Sequence, residues 1–125
     1  MASDDTPVHP ITSHLQSATE HLRSANHATY TDYREVTDLY DTLGALTALL
    51  DRLPQLLAHL SRRIVRADAA VYTTDHDSPA DDTLNIAELA ITDATRTLTS
   101  TATDIKAAWT AIGHLRIHDT GTDPA

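Results

Sequence analysis

Histidine is the residue type in this chain best suited to chemistry, because an imidazole can bind a metal ion or transfer a proton. His114 and His118 stand four residues apart, so on one helix both rings lie on the same face and could chelate one metal ion. The chain contains no Cys, and no Glu lies near the pair to complete a ligand set. Two solvated histidines at the negative end of a helix are the simpler interpretation, and the metal site stays an alternative.

The other side chains that could bind a metal ion or take part in catalysis do not form a recognisable site. His14 and His21 are seven residues apart, about 10 Å along a helix, which is too far for one metal ion to join them. Asp75, His76 and Asp77 are consecutive in a segment rich in turn formers, without an accompanying nucleophile. We therefore predict a protein that is not an enzyme and has no cofactor.

Composition and charge limit the possible partners. The chain of 125 residues has a formal charge of -9, which repels a phosphate backbone and argues against binding to nucleic acid. A cluster of Arg62, Arg63 and Arg66 is explained by the negative end of a helix dipole. No apolar run reaches the roughly 18 residues of a membrane span, and the acidic N-terminus is unlike a signal peptide. We expect a soluble, cytoplasmic protein that does not interact with membranes.

Most apolar residues fall into two stripes in which steps of three and four residues alternate. This is the period of a helix that packs along a partner helix. The stripes extend over residues 36–71 and 84–115. With no Phe and three Gly in the chain, the core must consist mainly of aliphatic side chains, which favours an all-α fold.

Three helices follow from the stripes and the breaks between them. A short amphipathic helix begins at Pro10, and a second helix covers residues 32–71, with Asp32 and Glu35 as a capping box. Pro54 lies within the second helix and predicts a kink, since the stripe keeps its phase across it. We expect one domain over residues 10–118, between flexible tails of residues 1–9 and 119–125.

The third helix is predicted to begin with Ser78 as its N-cap and Pro79 as its first residue, and to end within residues 114–118. Joined by a loop of about ten residues, the two long helices should form an antiparallel hairpin. A row of mostly small residues on the third helix should pack against the leucines of the second. This row comprises Ala87, Ala94, Thr101 and Ala108.

Several large side chains lie beside the stripes and widen the apolar surface beyond what one partner helix covers. We predict that these residues form an interface: Tyr33, Tyr40, Leu49, Leu56 and Trp109. The first helix or a second subunit must cover the widened face, so the fold is a three-helix or a dimeric bundle. Trp109 is interpreted as an anchor of the first helix in the core or as a hot spot for a partner.

Two resemblances accompany this interpretation. Residues 49–57 (LLDRLPQLL) and 109–115 (WTAIGHL) resemble those of uncharacterised small all-helical proteins of high-GC actinobacteria, which implies no activity. In size and architecture the chain is similar to the helical hairpins of the WXG100 class, which type VII secretion exports. Trp109 is followed by Thr110 and Ala111 where that class has Gly, and no Tyr has an acidic residue four positions on.

The sequence thus predicts a helical interaction or scaffold protein that forms a homodimer and binds a further protein. Two alternatives remain, a small bundle that binds metal through histidines and a hairpin of the type VII-secreted kind.

Overall fold

The computed structural model describes residues 6–116 of the chain. All regular secondary structure in this range is helical: α1 is Pro10–Asn26, α2 is Glu35–Val65 and α3 is Ala80–Gly113. The predicted all-α class is confirmed. The chain divides into two compact units between Tyr33 and Arg34, and each is described by itself. The predicted C-terminal tail, residues 119–125, and most of the N-terminal one, residues 1–9, lie outside the described range.

The first unit contains α1, and its N-terminus follows the expected pattern. Pro10 is the first helical residue, and His9 caps the helix because its Nδ1 accepts the backbone N–H of Ile11 at 3.1 Å. After the helix, the Tyr30 hydroxyl donates to the carbonyl of Ala25 at 3.0 Å. None of the residues of α1 is buried.

The start of α2 differs from the predicted capping box. The helix begins at Glu35, its N-cap is Arg34, and Asp32 has no capping role. Instead the carboxylate of Asp38 reaches back and accepts the backbone N–H of Arg34, while its other oxygen lies 3.3 Å from the Arg34 guanidinium. An acid four residues after the N-cap therefore satisfies the free N–H at the helix start, one position later than the acid of a capping box.

Pro54 does not interrupt α2, so the predicted continuity across it is confirmed. The predicted end at Val71 is wrong, because α2 ends at Val65 and Ala69–Val71 form a short 3-10 helix. There the Asp68 carboxylate accepts the backbone N–H of Ala70 at 3.0 Å. Such a bond from side chain to backbone competes with continuation of the helix, a signal that apolar periodicity does not contain.

The start of α3 lies slightly later than predicted. Pro79 is the N-cap and Ala80 the first helical residue, while Ser78 makes its bonds within the loop. The Ser78 carbonyl accepts the Thr74 hydroxyl at 2.6 Å. The helix ends at Gly113, before the predicted range of residues 114–118.

In the second unit, α2 and α3 pack against each other as the predicted antiparallel hairpin. Among the described residues only Thr47 and Ala102 are buried, with 3% and 7% of their surface exposed. The large aliphatic side chains between the helices are only half-buried. Two helices alone therefore do not enclose a core, because each seam residue keeps one side towards solvent.

The predicted contact row of α3 requires a correction. Its large residues, such as Leu98 and Ile105, are half-buried as expected, and so is Ala87 of the small row. The other members of that row, Ala94, Thr101 and Ala108, are exposed. The second contact row lies one position further along and comprises Glu88, Thr95, Ala102 and Trp109. On α2 the matching row comprises Thr47, Pro54 and Ser61.

The indole of Trp109 explains this rotation of α3. A Cβ atom on Gly44 would lie 3.2 Å from three atoms of the indole, so the ring rests directly on the backbone of α2. Tyr40 packs beside it, with ring centroids 5.6 Å apart. Gly44 is the only Gly in α2, so α3 turns to bring its one Trp onto the one site without a side chain.

Replacing Gly44 therefore tests what sets the rotation. Gly44→Leu should lower the free energy of unfolding by about 2 kcal/mol, because the new side chain overlaps the indole and overpacks the seam. Ala45→Leu is the matched control at the next, exposed position and should change it by less than about 0.5 kcal/mol. Urea unfolding followed by circular dichroism measures both, and equal losses would contradict the assigned role of Gly44.

Candidate interaction surface

The described residues do not bring the predicted metal ligands together. His114 follows α3 and is exposed, whereas His118 lies outside the described residues. His14 and His21 are both exposed on α1. Within residues 6–116, no group of three His, Cys, Asp or Glu side chains is placed to hold a metal ion.

The acidic loop segment has structural roles that the sequence indicated. Asp75, His76 and Asp77 are all exposed, and the Asp75 carboxylate contacts the ring of His76. Asp77 has φ of 57°, in the left-handed region that a short polar side chain tolerates. These residues form a turn between the long helices.

The five predicted interface residues fall into three places. Tyr33 belongs to the first unit, where its ring meets that of Tyr30 edge-on with centroids 5.5 Å apart. Tyr40 and Trp109 lie together on the α2–α3 seam. Leu49 and Leu56 lie on α2 away from that aromatic pair; Leu49 is 47% exposed and Leu56 is half-buried.

One side of the seam between the helices is closed by the corrected contact rows, and we call it the closed side. It contains the Trp109 indole on Gly44 and a hydrogen bond from the Ser61 hydroxyl to the Glu88 carboxylate at 3.3 Å. The Oγ1 atom of Thr47 is also buried here and finds no hydrogen-bond partner among the described residues. Small and polar side chains thus let the helices approach on this side.

The other side of the seam is the open face. The contact rows of the closed side lie on the same side of the seam in both helices. The rows on the opposite flank of each helix therefore both lie on the other side, and together they form the open face. These rows repeat every seven residues. On α2 they comprise Leu39, Leu46, Leu53 and Leu60, and then Leu49 and Leu56; on α3 they comprise Ala87, Ala94, Thr101 and Ala108.

The leucines and small residues of these rows form an uncharged stretch, and charges occur at the ends of the Leu49 row and on the rim of α3. On α2 the row of Leu49 starts with Glu35 and ends with Arg63, both exposed. On the rim of α3, Asp104 occupies a row otherwise made of Thr and Ala. Leucines and small residues along one strip, with charges only at its edges, form a surface suited to burial against another helix.

The open face deepens at its loop end into a cavity of about 540 Å³. Its walls are mostly aliphatic, including Leu60, Ile64, Leu84 and Ile91, and Arg63 stands among its lining residues. Leu60 belongs to the leucine row of the open face and Arg63 to its rim, while Ile64, Leu84 and Ile91 belong to the central rows of the seam.

Comparison of the chain with protein-family models, with curated proteins and with solved structures found no match. Among the described helices, none is long and apolar enough to cross a membrane.

The two rim charges of α2, Glu35 and Arg63, were not predicted from the sequence to be parts of this surface. Arg63 was explained by the helix dipole, and Glu35 was assigned to a capping box. Their spacing from Leu49, which is a multiple of seven residues in both directions, is the signal that could have placed them on its row.

The unpartnered hydroxyl of Thr47 generates a stability prediction. Thr47→Val keeps the shape of the side chain and removes a buried polar group, so the free energy of unfolding should rise by about 1 kcal/mol. Thr37→Val makes the same change at an exposed position of α2 and should leave stability within about 0.5 kcal/mol. Thermal and urea unfolding measure both variants, and a destabilised Thr47→Val would show that the hydroxyl is bonded in solution.

Proposed function

We propose that this chain is a non-enzymatic helical interaction protein that self-associates through the open face and works in the cytoplasm. The observation that carries the proposal is the uncharged strip of leucines and small residues along one whole side of the hairpin. An apolar strip of this length marks an interaction surface in a soluble protein. Removing it from water is a driving force proportional to its area.

The size of the open face supports a stable complex. With a rise of 1.5 Å per residue, α2 is about 46 Å long, and two helices side by side are about 20 Å wide. A flat strip of those dimensions has about 900 Å², close to the roughly 800 Å² per partner of a standard interface. A second hairpin has the same dimensions, so a homodimer covers the strip completely as a four-helix bundle.

Other apolar residues remain outside the open face and support the second part of the proposal, the binding of a further protein. Ile86 and Leu89 are 68% and 61% exposed on α3, outside the rows of the open face. Self-association leaves them accessible to a different partner.

A charge placed in the open face tests self-association. Leu49→Glu should raise the dissociation constant of the dimer more than about a hundredfold, because each copy would have to bury a carboxylate in an apolar interface. Ile86→Glu is the matched control, a large exposed aliphatic residue of the same hairpin changed in the same way outside the face, and should leave association unchanged.

Sedimentation equilibrium over a range of protein concentrations measures both variants, and circular dichroism verifies that they keep their helix content. A wild-type chain that sediments as a monomer at all concentrations would overturn the proposal. Equal effects of the two substitutions on the dissociation constant would also overturn it, since they would show that association does not depend on the open face.

A further inference from the structure

We propose that the second copy lies reversed on the open face, with α2 against α2 and the loop end of each hairpin over the open end of the other. This inference rests on the proposed self-association and adds its geometry. It places Leu49 on the twofold axis and brings Arg63 of each copy to Glu35 of the second copy.

The members of the rim row of α2 are spaced by seven residues and comprise Glu35, Thr42, Leu49, Leu56 and Arg63. Leu49 is its middle member, with a polar and an acidic residue on one side and an apolar and a basic residue on the other. A twofold axis makes the same patch contact itself, so a row at such an interface must complement its own reverse. Reversal about Leu49 sets the acid of each copy against the base of the other.

The seven-residue rows of α2 keep the same position relative to α3 along the whole hairpin. The pairing of Glu35 with Arg63 of the second copy requires this. Leu39, Leu46, Leu53 and Leu60 repeat every seven residues and are all half-buried. A helix whose seven-residue rows keep a constant relation to its partner is supercoiled with it. The neighbouring row therefore also stays at the rim, with Glu35 and Arg63 about 42 Å apart along the helix.

The small row of α3 fits the same axis independently. The contacts of Gly44 with Trp109 and of Ser61 with Glu88 set the register of the hairpin, and they place Thr101 within about two residues of the level of Leu49. Reversal about Thr101 brings Ala94 of each copy opposite Ala108 of the other. All three are exposed and small, so two α3 helices can approach closely there.

The alternative twofold arrangement keeps the loop ends together and lays α2 of one copy over α3 of the other. It places Arg63 of one copy beside the start of α3 of the other, where the rim row of α3 contributes Thr83. It places Asp104 of one copy beside the apolar middle of α2 of the other. Among the described residues of the rim rows, no charge then meets its opposite. The reversed arrangement instead sets Asp104 near Thr97 of the second copy and brings an acidic helix start to the Arg63-lined cavity.

A charge swap tests the pairing. Arg63→Glu alone and Glu35→Arg alone should each weaken the dimer about tenfold at low salt, because two attractive contacts become repulsive. The double variant should return to within about threefold of the wild-type dissociation constant. Arg62→Glu changes the net charge equally beside the row and should have a smaller effect than Arg63→Glu.

Cross-linking tests the axis, and the chain contains no Cys of its own. Leu49→Cys should form a disulfide-linked dimer under mild oxidation, because only residues near a twofold axis bring their own Cα atoms within the roughly 4–7 Å that a disulfide spans. Leu56→Cys should not, since its counterpart is Thr42 of the second copy. An equal mixture of Leu49→Cys and Thr101→Cys chains should form no mixed dimer.

The outcomes separate the two proposals. The reversed arrangement is overturned if the protein dimerises but Leu49→Cys does not cross-link, or if the charge swap does not restore the dissociation constant. It is also overturned if Leu49→Cys and Thr101→Cys chains form mixed dimers. Each of these results leaves the proposed self-association intact. A wild-type monomer overturns both. Cross-linking at Leu49 together with charge-swap rescue supports both.

Discussion

The contact between the Trp109 indole and the bare backbone at Gly44 determines how the rest of the hairpin is arranged. A flat ring nearly in contact with a helix backbone fixes both the distance and the rotation of the second helix, since no other position on α2 lacks a side chain. Once that side of the seam is closed, the leucine rows of α2 and the alanine row of α3 have to face the other way. The open face thus lies opposite the side of the seam that this aromatic contact closes.

The sequence predicted the helices well, because a sustained alternation of three- and four-residue steps leaves few alternative structures. It also located the break after α1, the continuity of α2 through Pro54 and the acidic first turn of α3. The helix ends were less accurate. The bonds of Asp38 and Asp68 that define two of them involve side chains reaching the backbone, and periodicity carries no information about such bonds.

The candidate interaction surface could be predicted only in part. Leu49 and Leu56 were recognised because they are large and off the stripe. The heptad pattern alone did not predict which small residues of α3 lie in the seam. The row of Ala94 and the row of Thr95 are both compatible with the pattern, and the position of Trp109 distinguishes them. The predicted interface therefore mixed residues of the closed side, such as Trp109, with residues of the open face.

The scarcity of buried side chains has a consequence for how the protein behaves at different abundances. Only Thr47 and Ala102 are buried among the described residues, so a single hairpin has little core of its own to hold its helices together. If association supplies that core, folding and dimerisation are one equilibrium, and its position depends on concentration. The folded fraction would then rise with the amount of protein made, and chains synthesised at low levels would remain exposed to proteolysis.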